Sequence, residues 1–142
     1  MKAEFNVKGN QTMQNLDAIF SPESVAVIGA STKAGKVGHD IFANILRGNY
    51  KGTLYPVNPS ARSILSVKAY PKISEIPDAV DLAIIIVSPE IALQVVEESV
   101  KKGVKGLVIV SAGFREVGAE GLAIENKIVS ICKNAGVRLV GP

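Results

Sequence analysis

Apolar residues along the chain gather into short, mostly apolar runs, and between the runs they recur at helical spacing. The runs at residues 24–28, 53–57, 67–70, 82–87, 106–110 and 137–140 read as strands. The run at 82–87 is wholly apolar and isoleucine-rich, as suits a strand covered on both faces. Between the first two strands, Val37, Ile41, Phe42, Ile45 and Leu46 mark one face of a helix over 37–47, closed by Gly48. A second helix is predicted over 89–102, with Pro89 in its first turn, lysines in its last and Gly103 as its cap. A third spans 119–134 and leads through Ala135-Gly136 into the last strand. Shorter helical pieces are expected at 15–20, ended by Ser21-Pro22, at 61–65 and at 74–76. Residues 1–15 are polar and mixed and read as a flexible tail, leaving a single domain over 16–142.

Apolar strands alternating with crossover segments imply an α/β fold with a parallel sheet and right-handed connections. The expected architecture is a Rossmann-like, doubly wound parallel sheet of strand order 3-2-1-4-5-6. In that order strand one lies beside strand four, and a crevice opens above their carboxyl ends where successive connections part. The small and polar segments fall at that edge: Gly29-Ala30-Ser31, Val57-Asn58-Pro59, Ser88-Pro89 and Ser111-Ala112-Gly113 each follow directly on a strand.

The first of these junctions carries the strongest chemical signal. Strand 24–28 runs into Gly29, Ala30, Ser31, Thr32, Lys33, Ala34 and Gly35 just before a helix, the layout of a phosphate-binding turn. Small residues let an anion approach the main chain, and the helix start offers unpaired N–H groups. The glycines at 29, 35 and 38 are spaced G-x5-G-x2-G, so the dinucleotide fingerprint G-x-G-x-x-G is absent. Lys33 and Lys36 stand close enough in sequence to meet phosphates as point charges.

Composition narrows the ligand and excludes other classes. The 142 residues are 47% hydrophobic, enough for one sizeable core, and no apolar run reaches the roughly 18 residues of a membrane span. Residues 1–15 hold no signal-like apolar stretch, so a cytoplasmic location is expected. With Cys132 as the one cysteine, neither an internal disulfide nor a cysteine metal cluster can form, and its apolar neighbours mark it as a core residue. The only histidine, His39, reads as a helix-surface or packing residue. No catalytic group and no metal site is therefore expected in this polypeptide.

The net charge of +3 is unevenly placed. Residues 41–74 hold Arg47, Lys51, Arg62, Lys68 and Lys72 and no acid, whereas 75–125 hold nine of the thirteen acids. Such a block suits an anionic ligand. Aromatics make up only 5% of the chain and do not interleave with the basic residues, so a nucleic-acid surface is not expected. An NAD site would place Asp or Glu near the end of strand two to hold the ribose 2′-hydroxyl, yet Asn58 stands there. An ADP group with an extra ribose phosphate fits better, because cations complement that phosphate and a carboxylate would repel it. Coenzyme A and NADP both carry one.

The segments Ser24-Val25-Ala26-Val27-Ile28-Gly29-Ala30-Ser31, Tyr55-Pro56-Val57-Asn58-Pro59 and Asp81-Leu82-Ala83-Ile84-Ile85-Ile86-Val87-Ser88-Pro89 do not stand alone. With Ser111-Ala112-Gly113-Phe114-Arg115-Glu116 and Val140-Gly141-Pro142 they resemble, in order, the CoA-binding domain of NDP-forming acyl-CoA synthetases. ADP-forming acetyl-CoA synthetases and the succinyl-CoA synthetase alpha subunit belong to that family. The resemblance covers residues 16–142. It implies that coenzyme A lies across the carboxyl edge, with Ser31 to Gly35 near the phosphates and Asn58-Pro59 toward the adenine-ribose end. It further implies Ser88-Pro89 beside the adenine or the pantetheine arm, and Ser111-Ala112-Gly113 with Phe114 near the thiol. Family chains continue past Gly-Pro into a domain bearing a phosphorylated histidine, which His39 does not match. The chain is thus expected to be a domain excised from a longer protein, partnered by further domains or a second subunit, in an acid–CoA ligase acting through acyl phosphate and phosphohistidine. A stand-alone CoA-binding or regulatory module and an NADP oxidoreductase domain remain as alternatives.

Overall fold

Every residue of strand β1, Ser24–Ile28, is buried. Its side chains alternate between two cores, as the pleat requires. Val25 and Val27 point to one core with Phe42, while Ala26 and Ile28 point to the other with Ala83, Ile85, Val96 and Ile128. The computed structural model describes residues 16–142, so the expected tail and the Asn15 start of the first short helix lie outside the described residues. Residues 16–20 are helical.

Helix α1, Val37–Arg47, covers one face of the sheet through Phe42, Ile41 and Ile45. Two of the apolar residues assigned to its inner face, Val37 and Leu46, are exposed instead. Helices α2, Pro89–Lys102, and α3, Ala119–Ala135, cover the other face through Ala92, Val95, Val96, Ile128 and Cys132. Proline opens α2 and Gly103, at φ 91°, closes it by donating to the Ser99 and Val100 carbonyls.

The main sheet is parallel and five-stranded. Its order is β2-β1-β5-β6-β7, where β2 is Thr53–Val57, β5 Leu82–Ile85, β6 Gly106–Ile109 and β7 Arg138–Val140. The five strands match the expected 2-1-4-5-6, and the switch of direction falls between β1 and β5 as anticipated.

The sixth strand is the correction. Residues 67–70 do not form an edge strand: Tyr70 alone bridges Val57. Its N–H donates to the Pro56 carbonyl at 3.0 Å and its carbonyl accepts from Asn58 N–H at 2.9 Å. Pro56 turns its carbonyl to that outer side, so its missing N–H also falls there and the ladder cannot extend. The helical turn expected at 61–65 is likewise absent. Strands β3, Ser63–Ile64, and β4, Val67–Lys68, form an antiparallel hairpin around Leu65 and Ser66, at φ 48° and 66°. Two consecutive positive φ values are those of a two-residue hairpin turn, normally signalled by Asn-Gly or Asp-Gly. Leu-Ser gives no such signal.

Candidate functional site

Two close approaches shape the junction of β1 and α1. Gly29 sits at φ +94°, and a Cβ there would lie 2.0 Å from the Ile86 carbonyl oxygen; at Gly38 a Cβ would lie 1.9 Å from the Gly29 carbonyl oxygen. Glycine at 38 lets the first turn of α1 rest on the end of β1, and glycine at 29 lets that end lie against the Ile86 main chain. The helix start is then left open. Lys36, the residue preceding α1, makes no side-chain cap, and the N–H groups of Val37, Gly38 and His39 donate to no acceptor among the described residues. Three unpaired donors at the positive end of a helix dipole form an anion site.

The loop before the helix is held by its own polar groups. Lys33 N–H donates to Ser31 Oγ at 3.1 Å, His39 Nδ1 lies 2.9 Å from the Ser31 carbonyl and so donates to it, and Gly35 N–H reaches Asp40 Oδ1 at 3.4 Å. His39 therefore ties the loop to α1 rather than merely lying on its surface.

Asn58, across the cleft, bonds through both ends of its amide. Its Nδ2 donates to the Ala30 carbonyl at 2.8 Å, and its Oδ1 accepts from the N–H groups of Ser60 and Ala61 at 2.8 and 2.9 Å. Asn58 thus stitches the end of β2 to the end of β1 and shapes the wall with its own amide. An open cleft of about 820 Å³ results, lined by Gly29, Ser31, Thr32, Lys33, Asn58 and Pro59 together with Lys36, Val37, Gly38, Ser60, Ala61 and Ile86. Val37 is 55% exposed because it faces this cleft rather than the core. Ala34 and Gly35 complete the loop, Gly35 at φ +87° with open space around it.

Gly29 and Pro59 also line a smaller cavity of about 220 Å³ on the other side of the β1 end. Its remaining walls are Ile28, Val57, Ile73, Val87, Ile91 and Val95, with Pro71, Lys72, Gln94 and Glu98. The two spaces meet around one glycine and one proline, the first polar and basic, the second chiefly apolar. The sequence reading did not single out this cavity or the Ser60-Ala61 wall. Its lining comes from four separate segments, though the Asn-Pro-Ser order after β2 is the kind of side-chain turn that brings residues 60 and 61 inward.

The loop after β6 completes the edge. Gly113, at φ +101°, lies against Pro89, whose Cγ would stand 2.9 Å from a Cβ at 113. Ser88-Pro89 and Ser111-Ala112-Gly113 are therefore adjacent, and Ser111 Oγ is buried with no hydrogen-bond partner among the described residues. The Phe114 ring is fully buried in the core, so this residue offers the edge its main chain alone. Val57 and Ala30 side chains are buried as well, leaving their main chains to the edge.

A single 3-10 turn, Arg115–Val117, follows, and two carboxylates hold it. Glu116 accepts from Gly113 N–H, and Glu125, on α3, accepts from the Arg115 main chain and guanidinium. The Gly113 N–H draws the Glu116 carboxyl below its ordinary value, and the Arg115 guanidinium does the same to Glu125. A carboxyl whose pKa is lower folded than unfolded stabilises above the unfolded value and loses that contribution as pH falls through the folded one. Residues 111–118 are accordingly expected to loosen below about pH 4, with amide exchange there accelerating before the β1 and β5 amides respond. Simultaneous exchange of both regions would show that the carboxylates do not hold the loop separately.

Burial pushes the Cys132 thiol up to about 11, and the described residues contain no cluster of His, Cys, Asp and Glu able to hold a metal. No helix among them is long and apolar enough to cross a membrane.

Residues 23–142 match the family model described as CoA binding domain. The chain belongs to this CoA-binding domain family. It is 47% identical to Acetate--CoA ligase [ADP-forming] II of Archaeoglobus fulgidus over 92% of its own length and 20% of that protein's. With the alpha subunit of Acetate--CoA ligase [ADP-forming] I of Pyrococcus furiosus it shares 44% identity over 90% of its length and 29% of the subunit's. Among solved structures, the apo form of the dinucleotide forming Acetyl-coenzyme A synthetase 1 of Ca. Korarchaeum cryptofilum superposes with a TM-score of 0.84. That match has 39% identity and covers 89% of this chain and 27% of the other. The CoA-binding domain described here thus spans between a fifth and a third of these relatives.

Proposed function

We propose that this domain grips coenzyme A across the carboxyl edge of its sheet and orients it for an ADP-forming acid–CoA ligase. One observation carries the reading: the start of α1 is uncapped, with the Val37, Gly38 and His39 amides unpaired among the described residues at a junction whose close packing requires glycine at 29 and 38. Such a junction fits a diphosphate. Residues 31–35 with the α1 start would hold the pyrophosphate, aided by Lys33 and Lys36. The Asn58-Pro59 turn would border the adenine-ribose end, and the small apolar cavity below Gly29 and Pro59 is suited to a purine ring. Ser88-Pro89 and Ser111-Ala112-Gly113 would flank the pantetheine arm, with the orphaned Ser111 hydroxyl free for a polar group of it. Coenzyme A supplies the thiol nucleophile, and this chain's own residues supply binding and orientation, which is catalysis by positioning. The parent reaction would exchange acyl-CoA, ADP and phosphate for carboxylate, CoA and ATP, with other domains or a second subunit providing the phosphohistidine.

The test is titration calorimetry with CoA, dephospho-CoA and NADP. CoA should bind most tightly, and removal of the 3′-phosphate should weaken it by about tenfold, since a charge-assisted phosphate contact contributes about 1.5–3 kcal/mol. Equal affinities for CoA and dephospho-CoA would remove the assigned role of the acid-free stretch at 41–74, and tighter binding of NADP would favour an oxidoreductase.

A second reading has its own support. A conserved hypothetical protein of Pyrococcus furiosus is 29% identical with a TM-score of 0.67, and this chain covers 90% of it. A free-standing module of this fold is therefore a real alternative, decided by whether the reading frame continues past codon 142.

A further inference from the structure

Glu125 is 3% exposed, on the face of α3 that also buries Ile128 and Cys132. An apolar residue at such a position generally serves stability as well or better, because a buried carboxylate must recover its lost hydration from its partners. Both its oxygens are occupied. Arg115 Nε donates to them at 2.9 and 3.1 Å, the Arg115 Nη2 group adds a further bond, and Arg115 main-chain N–H reaches Oε2 at 3.4 Å. The carboxylate thus fixes both the backbone and the side chain of one loop residue.

That residue follows immediately on Ser111-Ala112-Gly113-Phe114. Phe114 is pinned on either side, by its ring in the core and by its carbonyl oxygen, which occupies the space of a Cβ at Gly121, 1.9 Å away. Between these anchors the loop must pass through Gly113 at φ +101° and press against Pro89. Without Glu125 the Arg115 N–H loses its acceptor, and of the two carboxylates that hold the loop only Glu116, on Gly113 N–H, remains. The Arg115 side chain is 68% exposed, so it contributes little to the core itself.

Resting on the CoA reading above, we infer that Glu125 is a positioning residue: it sets the course of 111–115 so that this loop accepts the pantetheine arm, without touching the ligand. Its effect should be confined to the arm and spare the nucleotide end, because neither the cleft at the start of α1 nor the apolar cavity below Gly29 is lined by a residue of 111–115.

The experiment compares CoA with 3′-phospho-ADP, which is CoA lacking its pantetheine arm, on the whole chain and on Glu125→Gln and Arg115→Lys. The unmutated chain should prefer CoA by about tenfold, equivalent to about 1.4 kcal/mol. In Glu125→Gln this preference should fall to about twofold or less while the affinity for 3′-phospho-ADP stays unchanged. Arg115→Lys, which alters only an exposed side chain and keeps the main-chain bond, should fall between the two and remain measurable if Glu125→Gln does not fold. A preference retained in both variants overturns the role of Glu125, as does an equal loss of both ligands, which would mark it as a general scaffold residue. Failure of the unmutated chain to bind either ligand sinks the CoA reading instead, and is distinguishable because no variant is needed to see it.

Discussion

Gly38→Ala should destabilise the domain by about 3 kcal/mol and abolish ligand binding with it. The added methyl would stand 1.9 Å from the Gly29 carbonyl oxygen and 3.3 Å from the Ala30 α-carbon, both main-chain atoms that cannot swing aside as a side chain would. Overpacking typically costs about 1–3 kcal/mol where side chains can yield, and here the alternative is to lift the first turn of α1 off β1. Lifting it exposes Phe42, which is fully buried, and displaces the Val37 and Gly38 amides from the cleft. A loss of this size lowers the melting temperature of a chain this long by roughly 10 °C, measurable by thermal denaturation followed by circular dichroism. An unchanged melting temperature would mean that the close packing of these two glycines is not what holds the junction together.

The legible parts of this fold share a physical cause. Strands β1, β5 and β6 lie between two layers, so their apolar runs are unbroken, and the small residues at 29–31 and 111–113 mark the ends where the chain turns over the sheet. Such signals are local. What escaped depends on partners distant in sequence or on main-chain direction. The hairpin at 63–68 turns on positive φ at a leucine and a serine, which the surrounding contacts impose and no residue type announces. The missing edge strand follows from which way Pro56 faces, a property of pairing and not of composition. Asn58 reads from sequence as a residue bordering the ligand, but the structural role of its amide, bonded to Ala30, Ser60 and Ala61, carries no local signal. Glu125 shows the limit most clearly. An acid on an amphipathic helix reads as a solvent-facing residue, and only the guanidinium of Arg115, arriving from the preceding loop, accounts for its burial.

Gly35→Glu is the companion experiment to the glycine at 38, because it separates charge from packing. A Cβ at Gly35 would meet nothing within 4 Å, so the site has room, and the cost to the fold is the positive φ of +87° alone. A non-glycine residue held there loses about 1–2 kcal/mol, less for asparagine, and the domain should stay folded with a melting temperature only a few degrees lower. The introduced carboxylate, however, stands at the mouth of the amide cradle, where it repels a diphosphate and competes with it for the Val37 and Gly38 donors. Two unit charges about 4 Å apart near a protein surface interact by about 4 kcal/mol, so CoA affinity should fall by roughly two orders of magnitude or more. Gly35→Asn adds a side chain at the same positive φ, with less strain and no charge, and should bind CoA within a few-fold of the parent. If Asn and Glu weaken binding equally, strain and not electrostatics governs the loop. If Glu binds CoA as the parent does, the diphosphate does not sit at the start of α1, and the anion site must be sought elsewhere along the carboxyl edge.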